Sequence, residues 1–268
     1  MSLMRQTVPA RSPGCRIRHC ALSVRAGTRR KAQVMLLAFM VAALSALAPT
    51  AGYGQGSGSK GGRSKGALEW EVGLTWWQSE YRMVGGDLDL QDDDAGELGF
   101  RGELWFPQHF GFIGQYLPTD TADVAPGAED VTYASLDALY RLDTVSKNNY
   151  VAIGAGWEYA DLTVDNTFGK TDGPRAVLVI RMGSKSAFGY LEGAYMWKMS
   201  RINVADDVAH DLRNIRGDEY EFGGGYVFGE HVQFRLGYRR TEFRLDRADG
   251  AKYSSKSSGY IAGLAVTF

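Results

Sequence analysis

From Ala67 onward, apolar and polar positions along the chain alternate with a period of two. Leu68, Trp70, Val72, Leu74 and Trp76 alternate with Glu69, Glu71, Gly73, Thr75 and Trp77. Leu98, Phe100, Gly102, Leu104 and Phe106 alternate with Glu97, Gly99, Arg101, Glu103 and Trp105, and Val232, Phe234, Leu236 and Tyr238 with Gln233, Arg235, Gly237 and Arg239. Successive side chains of a strand point to opposite faces, so each set lines one face of a sheet. Ten such segments are predicted, near 67–82, 95–106, 109–117, 130–142, 149–162, 174–183, 187–203, 214–228, 231–245 and 253–268. The third, fifth and sixth alternate less cleanly, which leaves eight or twelve strands compatible with the pattern.

The connections carry a second pattern. Pro107–Gln108, Asp143–Asn148, Ser184–Ser186 and Gly229–Glu230 are short, whereas Met83–Asp94, Pro118–Glu129, Thr163–Gly173, Val204–Arg213 and Asp246–Lys252 are longer and polar. Strict alternation of short and long connections is expected of a barrel that crosses a membrane, with tight periplasmic turns and longer outer loops. A soluble β-sandwich gives no reason for such sorting. Aromatic residues on the apolar face fall in two groups. Trp76, Tyr116, Trp157, Trp197, Tyr220, Tyr238 and Tyr260 lie toward the long connections, and Trp70, Phe106, Phe110, Tyr140, Phe228 and Phe268 toward the short ones. These match the two aromatic girdles of a membrane barrel. The fold class predicted is all-β: a single closed antiparallel transmembrane β-barrel of about ten strands.

The chain has 268 residues, of which 44% are hydrophobic and 12% aromatic, with 34 Gly, 7 Pro and 2 Cys. That composition excludes a collagen, a disulfide scaffold and a disordered chain. A formal net charge of -1 hides an asymmetry, because all eight bases of residues 1–54 stand there without an acid. Residues 55–268 therefore carry about -9, which disfavours nucleic acid as a partner. The uncharged run Val34–Ala48 follows that basic stretch and precedes Thr50, Ala51 and Gly52. It has the length of a signal-peptide core and is short for a membrane helix. Residues 1–54 are expected to be a signal peptide with a long basic n-region, 55–66 a flexible Gly/Ser/Lys tail, and 67–268 the barrel. Cys15 and Cys20 both lie in the signal, so no thiol chemistry is expected of the mature chain.

The last segment ends Tyr260-Ile261-Ala262-Gly263-Leu264-Ala265-Val266-Thr267-Phe268. Here the chain resembles small bacterial outer-membrane β-barrel proteins of the opacity and OmpA-like type, whose last strand ends in an aromatic residue. The resemblance covers roughly residues 67–268 and rests on pattern rather than on a long shared motif. It implies that Tyr260, Leu264, Val266 and Phe268 form the barrel-insertion signal. It also implies that the partners are the barrel-assembly machinery, outer-membrane lipid and lipopolysaccharide.

Parity directs Glu69, Glu71, Glu97, Arg101, Glu103, Asp137, Arg141, Glu158, Arg181, Glu192, Lys198, Glu219, Glu221, Arg235 and Arg239 into the lumen. Charges inside so narrow a barrel must pair or hold water. The favoured reading is a lumen filled by a charged network, with a structural or surface-interaction role carried by the outer loops. The alternative is a narrow, mildly cation-preferring pore, for which inward Gly154, Gly156, Gly223, Gly225, Gly237 and Gly263 would leave room. A third reading, a rim enzyme of omptin-like type, would rest on His210 with Asp206, Asp207 and Asp211, and no enzyme activity is expected. Asp87, Asp89, Asp92, Asp93 and Asp94 form the densest acidic stretch, but without the ordered spacing of a calcium loop. Solvated loop charge is the better account. Neither a metal nor a cofactor is expected, and the ligand of the loops is left open.

Overall fold

A computed structural model describes residues 68–86, 88–107, 109–119, 131–146, 149–162, 169–202, 212–229, 231–247 and 250–268. The expected signal and tail, Asp206, Asp207, His210, Asp211 and Asp87 lie outside the described residues, as do the side chains of Asp93 and Asp94.

Ten strands form: β1 (Glu69–Gly85), β2 (Leu88–Trp105), β3 (Phe110–Thr119), β4 (Val131–Ser146), β5 (Asn149–Asp161), β6 (Lys170–Gly183), β7 (Ala187–Ile202), β8 (Leu212–Phe228), β9 (Val232–Arg247) and β10 (Lys252–Thr267). Each pairs antiparallel with its neighbours in sequence, and β1 pairs with β10 to close the barrel. Closure gives every strand a neighbour on both sides, with β2 meeting β3 over Phe100–Trp105 only. The seam continues to the last residue, where Phe268 N–H donates to Trp70 O at 2.9 Å and Trp70 N–H donates back to Phe268 O at 3.1 Å.

Two connections expected to be long are strand instead. Only Gly86 and Asp87 separate β1 from β2, and Gly86 takes φ 59° at this tight turn. In the segment read as an acidic loop, Leu88 and Leu90 alternate with Asp89 and Gln91, and the register pairs Met83 with Leu90 and Val84 with Asp89. A strand's period was present beneath an acidic composition. Likewise β9 runs to Arg247 and β10 starts at Lys252, which shortens the expected link Asp246–Lys252. Residues 120–130, 162–169 and 203–211 remain long connections between strands. We call their end of the barrel the rim, and the end with the short connections and the β1–β10 terminus the turn end.

Lys198, expected in the lumen, is not there. It sits exposed at a β-bulge with φ 51°, where the β7–β8 register shifts between Met196 and Met199. The inserted residue lets both methionines face inward, Met196 fully buried and Met199 nearly so, and pushes Lys198 out of the alternation. A left-handed conformation costs a residue with a Cβ roughly 1–2 kcal/mol. Lys198→Gly is accordingly expected to stabilise the barrel slightly, or leave it unchanged, in urea titration. A marked loss would show that the lysine holds the bulge.

Polarity inverts part-way along the wall. In the turn-end half of β9, Val232, Phe234, Leu236 and Tyr238 face outward while Gln233, Arg235 and Arg239 are buried inside. In the rim half of the same strand, Arg240 and Arg244 face outward while Thr241, Phe243 and Leu245 are buried inside. β1 repeats the change: outward Val72, Leu74 and Trp76 give way to Gln78, Glu80 and Arg82, and inward Glu71 and Thr75 give way to Trp77, Tyr81 and Met83. The turn-end half is thus apolar outside and charged inside. On these strands the rim half is polar outside with an apolar core, as in a water-soluble domain.

Candidate functional site

The turn-end half of the lumen holds a network of ion pairs and hydrogen bonds drawn from nine of the ten strands. Arg175 on β6 lies at one extreme. Its Nε is 3.1 Å from Asp137 Oδ1, one Nη donates to Glu158, and the other is 3.3 Å from Glu219 Oε1. Glu219 Oε2 is 2.6 Å from Arg239, which also reaches Glu221 at 3.2 Å and donates to Gln115 Oε1 at 2.9 Å. Glu221 stands 4.0 Å from Arg235 and so links the two sides. Across the lumen, Glu192 takes Arg235 at 2.7 Å and Arg101 at 2.9 Å. Glu103 takes Arg101 at 2.9 Å and Arg181 at 3.2 Å, and Gln233 donates to Glu71 at 2.8 Å. Arginine suits this packing because its planar fork serves several carboxylates at once.

Of the residues expected inside, Glu71, Arg101, Glu103, Asp137, Glu158, Arg181, Glu192, Glu219, Glu221, Arg235 and Arg239 join this network. Arg141 and Glu69 form a separate pair at the turn end, 3.1 Å apart. Glu97 faces inward opposite Trp77 in the β1–β2 ladder. Sequence reasoning left out Arg175, Gln115 and Gln233. Arg175 shares its parity with Arg181 on β6, so the alternation Arg175, Val177, Val179, Arg181 contained the signal.

Aromatic side chains pack across the lumen on both sides of the network. On the rim side Trp77, Tyr133 and Phe243 lie in sequence, with ring centroids 5.8 Å and 5.9 Å apart. Tyr81, Met83, Leu117, Leu162, Met196 and Leu245 complete this fully buried layer. Its hydroxyls are served internally: Tyr133 OH shares a hydrogen bond with Ser257 Oγ at 2.8 Å, and Ser255 Oγ donates to Tyr81 OH at 3.2 Å. Arg239 lies 5.5 Å from the Trp77 ring and so joins cap to network.

On the turn side Arg141 is sandwiched between Trp105 at 3.9 Å and Tyr150 at 4.3 Å, and Arg181 lies 4.7 Å from Phe188. Such cation–π stacks seal while keeping the charge stabilised. The inward glycines do not leave the expected room. A Cβ on Gly225 would come within 2.3 Å of the Phe188 ring, and one on Gly237 within 2.5 Å of Tyr190 OH. At Gly223, Gly225 and Gly237 the vacated space is occupied by aromatic side chains from β7, and at Gly154 and Gly156 it is closed by β4, whereas Gly263 borders a small cavity. Two small cavities in the lumen, about 20 Å³ and 10 Å³, are bounded by network groups such as Arg101, Gln115 and Glu219. Each has room for about one water.

The two described aspartates of the acidic stretch on β2 do not converge. Asp89 shares the outward face of Val84 and pairs with Arg82 at 3.0 Å, whereas Asp92 shares the inward face of Tyr81. Carboxylates on opposite faces of a strand cannot meet on one cation. The four residues expected as an insertion signal all face outward, with Tyr260 72% exposed. Phe268 stacks on Trp70 with centroids 4.0 Å apart and on His231 at 5.7 Å, so its ring bridges β1 and the start of β9.

No protein-family model matches this chain, and no curated protein matches it in sequence. Similar solved structures are outer-membrane β-barrels. The outer membrane protease OmpT from Escherichia coli is 12% identical with a TM-score of 0.39, over 76% of this chain and 98% of that one. Neisserial surface protein A is 14% identical with a TM-score of 0.35, over 74% and 97%. Ail, the attachment invasion locus protein of Yersinia pestis, is 14% identical with a TM-score of 0.29, over 74% and 98%. At such identities the likeness concerns fold alone.

Proposed function

We propose that this chain is a bacterial outer-membrane β-barrel whose lumen is a sealed plug, and that it works through the strand-built platform raised above the membrane. The inversion of polarity across the wall carries this reading. Only the turn-end half presents an uninterrupted apolar exterior, and that exterior ends in the aromatic row of Trp76, Tyr260 and Tyr238. The rim half has a polar exterior and an apolar core, which is the arrangement water favours. Strand length agrees, since about 9–11 tilted residues cross a bilayer and β1 and β2 have 17 and 18. The surplus belongs to the platform. Its rim and the three long connections are the surface available to a ligand or another cell.

The pore reading has less support. Ions would have to pass two aromatic-lined closures and a lumen whose charges are already paired, with room only for single waters. The rim-enzyme reading would rest on His210 and its neighbouring aspartates, and nothing in the described residues adds to it.

Single-channel recording of the refolded protein in a planar bilayer tests the plug. The expected result is no conductance from protein that circular dichroism shows to be folded. Steady ohmic steps with cation preference would instead place the inward carboxylates on a permeation path and make this a small porin.

A further inference from the structure

The ladder between β2 and β3 stops early, and a proline is the cause. At its turn-end start Phe106 N–H donates to Phe110 O at 2.7 Å. In an antiparallel pair every second residue takes part in such bonds. The register therefore assigns them to Leu104 with Phe112, Gly102 with Gly114 and Phe100 with Tyr116. The next pair would be Leu98 with Pro118. Proline has no N–H to give, and the ladder ends at Phe100. The same proline costs the pairing with β4 nothing. Arg141 N–H donates to His109 O at 2.9 Å, which turns the odd residues of β3 toward β4 and Pro118 away from it.

Strand β3 itself ends at Thr119, whereas β2 continues from Gly99 to Leu88 with β1 beside it. Among the described residues no strand covers the other side of that stretch. By the same alternation, the N–H and C=O of Leu98 and Gly96 point to this open side, away from β1. Leu98 is 51% exposed opposite Trp76, so the open side starts at the aromatic row and runs up the rim half.

An unpaired edge of this length is a template for another strand. Charge decides which strand. Between Leu88 and Leu98 stand Asp89, Asp92, Asp93, Asp94 and Glu97, without a single Lys or Arg. On β1 Arg82 is paired with Asp89 at 3.0 Å. A second copy of the chain would bring the same acids to the edge. Residues 120–130, which follow β3, carry Asp120, Asp123, Glu129 and Asp130 and no base, so their charge is wrong as well. The acids guard the edge against this chain's own strands, and a guard of one sign admits a strand of the other.

Resting on the proposed role of the strand-built platform, we propose that the open side of β2 binds an extended, lysine- or arginine-rich segment of another protein as an added strand. Backbone hydrogen bonds to Leu98 and Gly96 fix its register. An apolar residue of the segment lies beside Leu98 and Trp76, and its bases lie beside the acids farther up the strand.

The test uses the full barrel refolded in detergent and three synthetic peptides of one length. They are alternating lysine and valine, alternating glutamate and valine, and the lysine peptide with every backbone amide N-methylated. Methylation removes the backbone donors and keeps the charge, which separates strand pairing from simple attraction. The lysine peptide is expected to bind, and its methylated form about tenfold more weakly, the scale of one or two lost hydrogen bonds. The glutamate peptide is expected not to bind. Amide hydrogen exchange followed by NMR locates the site: Gly96 and Leu98 should exchange fast alone and slowly with the lysine peptide. Leu98→Pro deletes a donor on the open side and spares the ladder to β1. It is expected to weaken the lysine peptide to a similar degree, with circular dichroism as the check on folding.

Equal binding of the methylated peptide would reduce the effect to charge and overturn the proposal, as would equal binding of the glutamate peptide. Slow exchange of Gly96 and Leu98 in the peptide-free barrel, whether as monomer or dimer, would show the edge already covered and overturn it too. If Leu98→Pro does not fold, the methylated peptide still decides on the wild type. Ohmic conductance from a barrel that binds the lysine peptide would overturn the plug and leave this site standing. A silent, folded barrel that ignores the peptide would overturn only this site.

Discussion

Replacing Arg175 with methionine is expected to cost the folded barrel about 3–5 kcal/mol, the usual scale for removing one partner from a buried ion pair. The reason is the number of carboxylates that share it. Asp137, Glu158 and Glu219 all meet this guanidinium, whose side chain is 3% exposed. Of the three, Glu219 also pairs with a second arginine, Arg239. With Arg175 gone, Asp137 and Glu158, diagonal neighbours on the paired strands β4 and β5, would be left as two close carboxylates in a lumen too tight to hydrate them. Urea unfolding in detergent, followed by tryptophan fluorescence, measures the loss. Arg82→Gln, which removes an exposed pair with Asp89, should leave the midpoint indistinguishable from wild type, because surface pairs contribute little. Adding Glu158→Gln to Arg175→Met should recover part of the loss, since one stranded charge is then removed. Equal midpoints for the Arg175 and Arg82 variants would mean that water already screens the network.

The second large effect is expected at Trp77. Trp76 and Trp77 are adjacent in sequence and fall on opposite sides of the wall. Trp77 is 1% exposed inside the rim-side cap, and Trp76 is 50% exposed on the outer face. Trp77→Ala should cost about 3–5 kcal/mol, as for other large-to-small changes in a packed core. It removes the ring that contacts Tyr133 and Arg239. Trp76→Ala leaves a site that lipid or detergent can fill, so its effect in the same unfolding assay should be far smaller. Conductance should stay absent in Trp77→Ala, because the ion pairs of the layer below the cap, those of Arg239 included, remain. A Trp77 variant as stable as the Trp76 variant would mean that the rim half is not a dry core.

The charge pairs and the cap were not equally readable. For most of the lumen charges, alternation sufficed, because in the turn-end half one face is apolar and the other charged, and a strand's period of two separates them. Arg175 follows the same rule on β6 and was readable from its spacing to Arg181. Lys198 was not readable. A single inserted residue at the bulge shifts parity for the rest of the strand, and no local composition marks it, since Met196 and Met199 are ordinary core residues whichever way the strand is counted. The acidic run on β2 shows a different failure. Its aspartates suggest solvated loop, while Leu90 among them packs against the buried core and keeps the hairpin β1–β2 going.

The amino-acid order by itself determined the approximate strand count, the antiparallel path and the identity of most of the charges that point into the lumen. Each comes from local alternation, which needs no knowledge of the rest of the chain. Tertiary structure decided the remainder. Which acid meets which base depends on register across strands far apart in sequence, as with Arg101 and Glu192 or Arg235 and Glu103. Whether the lumen stays open depends on Phe188 and Tyr190 reaching over glycines of β8 and β9, and on Trp77, Tyr133 and Phe243 meeting from three strands. Alternation says which way a side chain points, but only closure of the sheet says which group stands opposite it.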